Sequence, residues 1–298
     1  MNINQIKRSI VLLTMAFLLL SFSSDPEKNW EDYLQSLNEW KVERVENLKK
    51  PMGYLSMIGL YWLQDGTYSI GSEEGNDIIF PPELPGEIGE ITLMQGKLTY
   101  SSKNKNVTMD GMPSNDKRIN SDADGEATMF NWGSHFWYVI KRGEQYGIRM
   151  KDTLAEARLN MTQIPMFDPS SKWVVKGKLS ASKEDSKISI TNKVGITYDS
   201  DLAGTVSFNL NGRDHDLIAT KSGDRLFIVF ADLTNGTKTY GGGRFLYADF
   251  PQEGNEVILD FNKAENPICG FSDFATCPLP RPENYLPFEV TAGEKRVR

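Results

Sequence analysis

Residues 240–250 read YGGGRFLYADF, an arginine set directly after three glycines in a strand-like run. A planar guanidinium is a fork for a carboxylate or a phosphate. Glycine weakens a strand interior, so three in a row imply a bulge or a close backbone approach. As a binding site, Gly241 and Gly243 would let a ligand near the main chain, while Arg244 and Tyr240 supply charge and aromatic surface. Further polar groups gather in neighbouring stretches: Asp232 and Thr239 upstream, Asp260 and Asn262 in LDFN, Glu283 and Asn284 in PRPENYLP. The carboxyls of Asp260 and Glu283 could serve as an acid–base pair in a hydrolase. The structural alternative makes Arg244 a buried cation bridging Asp260 and the proline-rich tail. Either way Arg244, Asp260 and Asn284 are expected to meet around the glycines.

Other catalytic spacings are lacking. There is no H-E-x-x-H, C-x-x-C, phosphate loop or G-x-S-x-G elbow. Ser180 and Lys183 match S-x-x-K but lie in a solvated charged run. His135 sits in an aromatic strand and His215 in a hairpin, both read as structural. NSDADGE, residues 120–126, has the oxygens of a calcium loop, but Asn131 stands where the bidentate glutamate belongs. An acidic turn is the better reading, and neither a metal nor a cofactor is expected. Cys269 and Cys277 frame CGFSDFATC; in an exported protein a disulfide is the default for two such cysteines. A thiolate role would need a basic neighbour, which the flanking residues lack.

The elements that must position these groups change character along the chain. Residues 1–23 carry Lys7 and Arg8, then an apolar run, then Ser21-Phe22-Ser23, the layout of a cleavable signal peptide. The expected product is exported, periplasmic or extracellular, with no membrane span after cleavage. Residues 24–51 read as a helix: Ser24 and Glu27 form a capping box, Pro26 suits the first turn, and Trp30, Leu34, Leu37, Trp40, Val45 and Leu48 make an apolar stripe. Short alternating runs between Gly, Asn and Asp then predict a β-sandwich over 52–152. Residues 153–194 break that rhythm and read as a bridge. Residues 195–298 read as a C-terminal antiparallel β-meander or barrel, with Asn211-Gly212 as a hairpin turn. The fold class is therefore mainly β behind an N-terminal helix. The net charge of −7 and pI near 5.1 argue against a nucleic-acid partner.

Four strings, DLTNGTKTYGGGRFL, VILDFNKAENPICGF, ATCPLPRPENYLP and AGEK, resemble the signature of the bacterial and archaeal domain of unknown function 1684 family. The resemblance covers nearly all of the chain after the leader. It places Tyr240, Gly241, Gly243, Arg244, Asp260, Asn262, Cys269, Cys277, Pro278, Pro280, Asn284 and Glu294 at motif positions, with Ile268 where the family often has a second proline. The family carries no established activity. YSIGSEEGNDIIF and the strands after it are similar to a forkhead-associated sandwich, yet Ser72 follows Gly71 where a phosphothreonine reader needs arginine. The functional expectation is a binding module for a small or extended anionic ligand, a glycan or a peptide. The alternatives are the Asp260/Glu283 hydrolase and a non-catalytic scaffold.

Overall fold

A computed structural model describes residues 26–298. The expected leader, its cleavage point and the Ser24 cap lie outside the described residues. Helix α1 (Pro26–Leu48) starts on the proline and lays one stripe inward, with Leu37 and Leu48 fully buried. No helix among the described residues is long and apolar enough to cross a membrane.

The sandwich is built from β1 (Met57–Leu63), β2 (Gly66–Gly71), β3 (Ile78–Ile79), β4 (Gly89–Met94), β5 (Lys97–Ser102), β6 (Thr108–Met109), β7 (Met112–Pro113), β8 (Lys117–Arg118), β9 (Phe130–Trp132), β10 (His135–Arg142) and β11 (Gln145–Asp152). One sheet runs β1-β11-β10-β9-β6-β7 and the other β3-β2-β4-β5-β8. All pairings are antiparallel except β2 with β3. Alternation sends Trp137, Val139, Ile148 and Met150 into the shared core. There Trp137 stacks on Phe130 at 5.6 Å and meets Phe80 edge-on. Burial of each such ring contributes roughly 2 kcal/mol or more.

Strand β11 departs from the usual one-sided pattern. From Tyr146 to Lys151 every residue is buried, those on the outer face included. The outer face of β11 therefore has a cover of its own. Met57, at the start of β1, packs on the outside of the C-terminal sheet with Val229, Phe245 and the two cysteines, so the two β modules are joined there.

A short helix, α2 (Glu156–Asn160), leads out of the sandwich. The C-terminal sheet comprises β12 (Val174–Ala181), β13 (Lys187–Thr191), β14 (Thr197–Leu210), β15 (Arg213–Ser222), β16 (Arg225–Phe230), β17 (Arg244–Asp249) and β18 (Glu256–Asp260). Its order is β17-β16-β15-β14-β12-β18, with β13 on the remaining length of β14. Strands β17 and β18 also approach each other, so the sheet is nearly closed and barrel-like. Thus the C-terminal module begins at Val174 rather than Gly195. The charged run read as part of a bridge is two strands whose outer faces meet solvent, which is why its composition looked linker-like. Asn211 and Gly212, with φ of 53° and 77°, form the expected turn between β14 and β15.

Candidate functional site: a cationic cleft at the seam

The glycine run lies in a turn ahead of β17, not within a strand. A Cβ on Gly243, whose φ is +89°, would stand 2.7 Å from the Pro280 ring and 2.8 Å from the Phe230 carbonyl. The proline-rich tail is thus the close neighbour that the glycines admit.

Arg244 is fully buried, and its partners are internal. Its Nη2 lies 2.6 Å from Asp232 and donates to the Val290 carbonyl at 2.8 Å, while Nη1 donates to Ala292. The guanidinium also sits 5.1 Å from the Phe230 ring centroid. Asp232 in turn accepts the N–H groups of Thr234 and Val290. Asn235 completes the loop, donating to the Tyr240 carbonyl and accepting the Asp232 N–H. Arg244 holds the long β16–β17 connection onto the C-terminal tail.

Arg244 reaches the C-terminal tail as expected, but its carboxylate is Asp232 rather than Asp260, and it bonds neither Asp260 nor Asn284. Asp260 accepts from the Tyr33 hydroxyl of α1 at 3.0 Å and from the Asn262 N–H at 3.1 Å. Asn262 bridges Tyr33 and Ser170. Asn284 acts as a substitute strand partner, exchanging bonds with both backbone groups of Ile218 and donating to the Val229 carbonyl. Glu283 pairs with Arg281 at 3.0 Å on the surface. Asp260 and Glu283 therefore have separate partners, and no bond links them. Tyr240 lies against Gly270, and burial pushes its hydroxyl up to about 12.

Cys269 and Cys277 are separate buried thiols here, so the expected bridge is not present in this structure. They are nonetheless side by side: each sulfur accepts the other residue's backbone N–H, at 3.1 and 3.3 Å. In the acidic turn at residues 120–126, Asp122 pairs with Arg142 of β10 and Asp124 accepts from the Ser121 hydroxyl. His135 is buried in β10, and His215 packs between Phe208 and Phe288.

Charge without a counter-charge gathers elsewhere, on the outer face of β10 and β11. A cleft of about 560 Å³ opens between this face and the chain following α1, lined by Lys50, Tyr54, Tyr138, Arg142, Arg149 and Lys151. Register places Arg149 opposite Tyr138, and Lys151 two positions along on the same face. Arg149 is 7% exposed and Lys151 8%. Lys151 donates to the Met52 carbonyl and lies 5.9 Å from the Tyr138 ring centroid. Arg149 makes one long bond, 3.4 Å, to the Phe274 carbonyl of the cysteine loop, and its buried Nε has no partner. Among the described residues neither forms an ion pair, and no carboxylate lines the cleft. Burial first, then the charge of Arg149, pulls the Lys151 amine down to about 8.

A second cleft, of about 490 Å³, carries both signs instead: Arg44, Arg225 and Lys263 stand with Glu43 and Glu265. The contrast singles out the seam cleft. Sequence reasoning passed over it because QYGIRMKD scans as an ordinary strand. Its one signal is a pair of cations on the same face of a run whose other residues are mostly suited to burial.

These features define a two-module, mainly β protein with a cationic cleft on the outer face of the first module, in which Arg149 and Lys151 have no ion-pair partner among the described residues and Arg149 also touches the second module. The chain belongs to the family described as Protein of unknown function (DUF1684), whose model matches residues 160–295. That segment contains the barrel, the Arg244 loop and the cysteine loop, whereas Arg149 and Lys151 precede it. An uncharacterised protein of Haloarcula marismortui, solved by solution NMR, is 32% identical; the match covers 46% of this chain and 78% of that one, with a TM-score of 0.39. No curated protein matches the chain.

Proposed function

We propose that this is an exported protein that binds a small anionic ligand, and that the ligand sits in the seam cleft rather than at Arg244. The observation that carries the reading is the pair Arg149 and Lys151, two buried cations on one strand face without a carboxylate between them. Burying a charge is costly unless it is paired, and two adjacent like charges add repulsion. A bound carboxylate or phosphate would remove both costs. Arg149 offers the fork, and Tyr54 and Tyr138 offer hydroxyls and ring faces. Export rests on the sequence of residues 1–23, and a forkhead-associated ancestry of the sandwich belongs to the same proposal. That ancestry supplies no phosphothreonine reading, since Ser72 binds the Leu84 carbonyl where the reader's arginine would stand.

The test is thermal unfolding of the mature protein with inorganic phosphate, sulfate or malonate against chloride at equal ionic strength. A ligand at a hundred times its dissociation constant stabilises by about 2.7 kcal/mol. Arg149→Met is expected to abolish that response and, by relieving an unpaired buried charge, to raise the stability of the ligand-free protein by about 1 kcal/mol. Equal curves in all four salts, or a destabilised Arg149→Met, would remove the basis for the site.

A further inference from the structure

The seam cleft holds an amine as well as a fork. We propose that Lys151 captures the carbonyl carbon of an aldehyde or ketone that also carries a carboxylate or phosphate, forming an imine in the cleft. This rests on the anion-binding reading, because the anionic group is what Arg149 would hold while the carbonyl meets Lys151.

The geometry separates the two tasks. Arg149 and Lys151 are two residues apart on one strand face, so their backbones stand roughly 6–7 Å apart along β11. A ligand with its anion and its carbonyl a few bonds from each other can engage both side chains. An ammonium carries three donors, and among the described residues Lys151 donates only to the Met52 carbonyl. A neutral amine needs less and exposes a lone pair. A desolvated lysine beside a second cation is an arrangement that makes an amine nucleophilic at neutral pH.

The groups facing Lys151 agree in sign. Arg149 stands on its own strand, Tyr138 and Arg142 on β10, and Lys50 and Tyr54 on the segment after α1. Of these, Arg142 alone is neutralised, by Asp122. None is a carboxylate that would restore the ammonium. With the amine at about 8 against 10.5 for an ordinary lysine, its neutral fraction at pH 7 is raised about a few hundredfold.

In the reaction the Nζ lone pair attacks the carbonyl carbon, and the C=O electron pair moves onto oxygen, which takes up a proton. That first proton comes from the nitrogen; a second, from solvent, lets the oxygen leave as water, and the nitrogen lone pair closes a protonated C=N bond. No oxidant or reductant is consumed.

The experiment incubates the whole mature protein with pyruvate or glyoxylate in one arm and pyridoxal 5′-phosphate in the other, then adds borohydride. The reduced adduct is located by peptide mass spectrometry. The expected result is a mass increase on the peptide containing Lys151 in at least one arm. The arm that labels distinguishes a carboxylate-bearing carbonyl from a phosphate-bearing one. Labelling should rise through about pH 8 and vanish in Lys151→Arg, a variant that keeps the charge. Lactate, which has the carboxylate but no carbonyl, should protect without being trapped. Stabilisation by phosphate or sulfate is read on the wild-type protein without carbonyl compound or borohydride, which keeps the two readings separable. Anion stabilisation without any adduct at Lys151 overturns the imine and leaves the binding site standing. Neither stabilisation nor adduct removes both. Labelling spread over many lysines and unchanged in Lys151→Arg overturns the imine.

Discussion

Arg244 and Arg149 are both buried guanidiniums, and what faces each one decides its role. Arg244 has Asp232 at 2.6 Å and two backbone carbonyls. Arg149 has one long bond and, among the described residues, no carboxylate; the buried Nε of both guanidiniums is without a partner, so the carboxylate is what separates them. Removing Arg244 strands a buried carboxylate, so Arg244→Ala is expected to lose about 3–5 kcal/mol in urea unfolding. A loss under about 1 kcal/mol would show that the Asp232 pair is not what holds the loop. Arg244 stood out in the sequence because three glycines precede it. Its partner did not stand out, because Asp232 lies at the other end of a loop whose path no local pattern reveals. Asp260 was the natural guess, as an acid at the end of a strand, but α1 claims it through Tyr33. That claim depends on how the helix docks, which amphipathic spacing alone cannot specify.

At the scale of elements, α1 is fastened to the barrel by one charged contact in addition to its apolar stripe. Arg44 Nε lies 2.7 Å from Glu265 and 2.9 Å from Glu294. Its Nη2 donates to the Asn266 carbonyl, and Glu294 accepts the Asn266 N–H. Two carboxylates share one cation, so one negative charge is unmatched in a desolvated place. Burial pushes Glu294 upward and Glu265 up to about 7, against an ordinary value of 4.5. A carboxyl whose pKa is higher in the folded state holds its proton more tightly there. Its stabilisation is fully present below about 4.5, falls as pH rises through the interval to about 7, and is gone above it. Glu265→Gln cannot titrate, so it should match the wild type near pH 5 and exceed it near pH 8 by on the order of 2–3 kcal/mol. Parallel stability–pH curves for the two proteins would count against this account. The helix itself was readable from its stripe and from Pro26 and Pro51, and the β14–β15 hairpin from Asn211-Gly212, because both signals are local. Strands β12 and β13 were masked by the charges on their solvent faces.

Over the whole molecule the seam is the feature that local pattern could not disclose. Arg149 and Lys151 become buried only because the segment after α1 and the loop from Cys269 to Cys277 come to cover β11. The cysteine loop does not line the cleft, but it holds Arg149 from behind through the Phe274 carbonyl. Its two thiols are placed for bridging. Cys269 is pulled down by the hydrogen bond from the Cys277 side chain, which favours its thiolate, whereas Cys277 is pushed up by the same bond and by burial. In an oxidising compartment the Cys269 thiolate would attack an oxidised dithiol carrier, and Cys277 would then displace the carrier, which leaves with two electrons. The chain-entropy model gives such a short closed loop about 2.5 kcal/mol of stabilisation. If the protein is exported as proposed, native material is expected to yield the two cysteine peptides joined under non-reducing mass spectrometry. Reduction should lower its melting temperature and, by loosening the loop whose Phe274 carbonyl holds Arg149, weaken the response to phosphate. Two freely alkylated thiols in that native material, or an anion response indifferent to reduction, would separate the cysteine loop from the function of the seam.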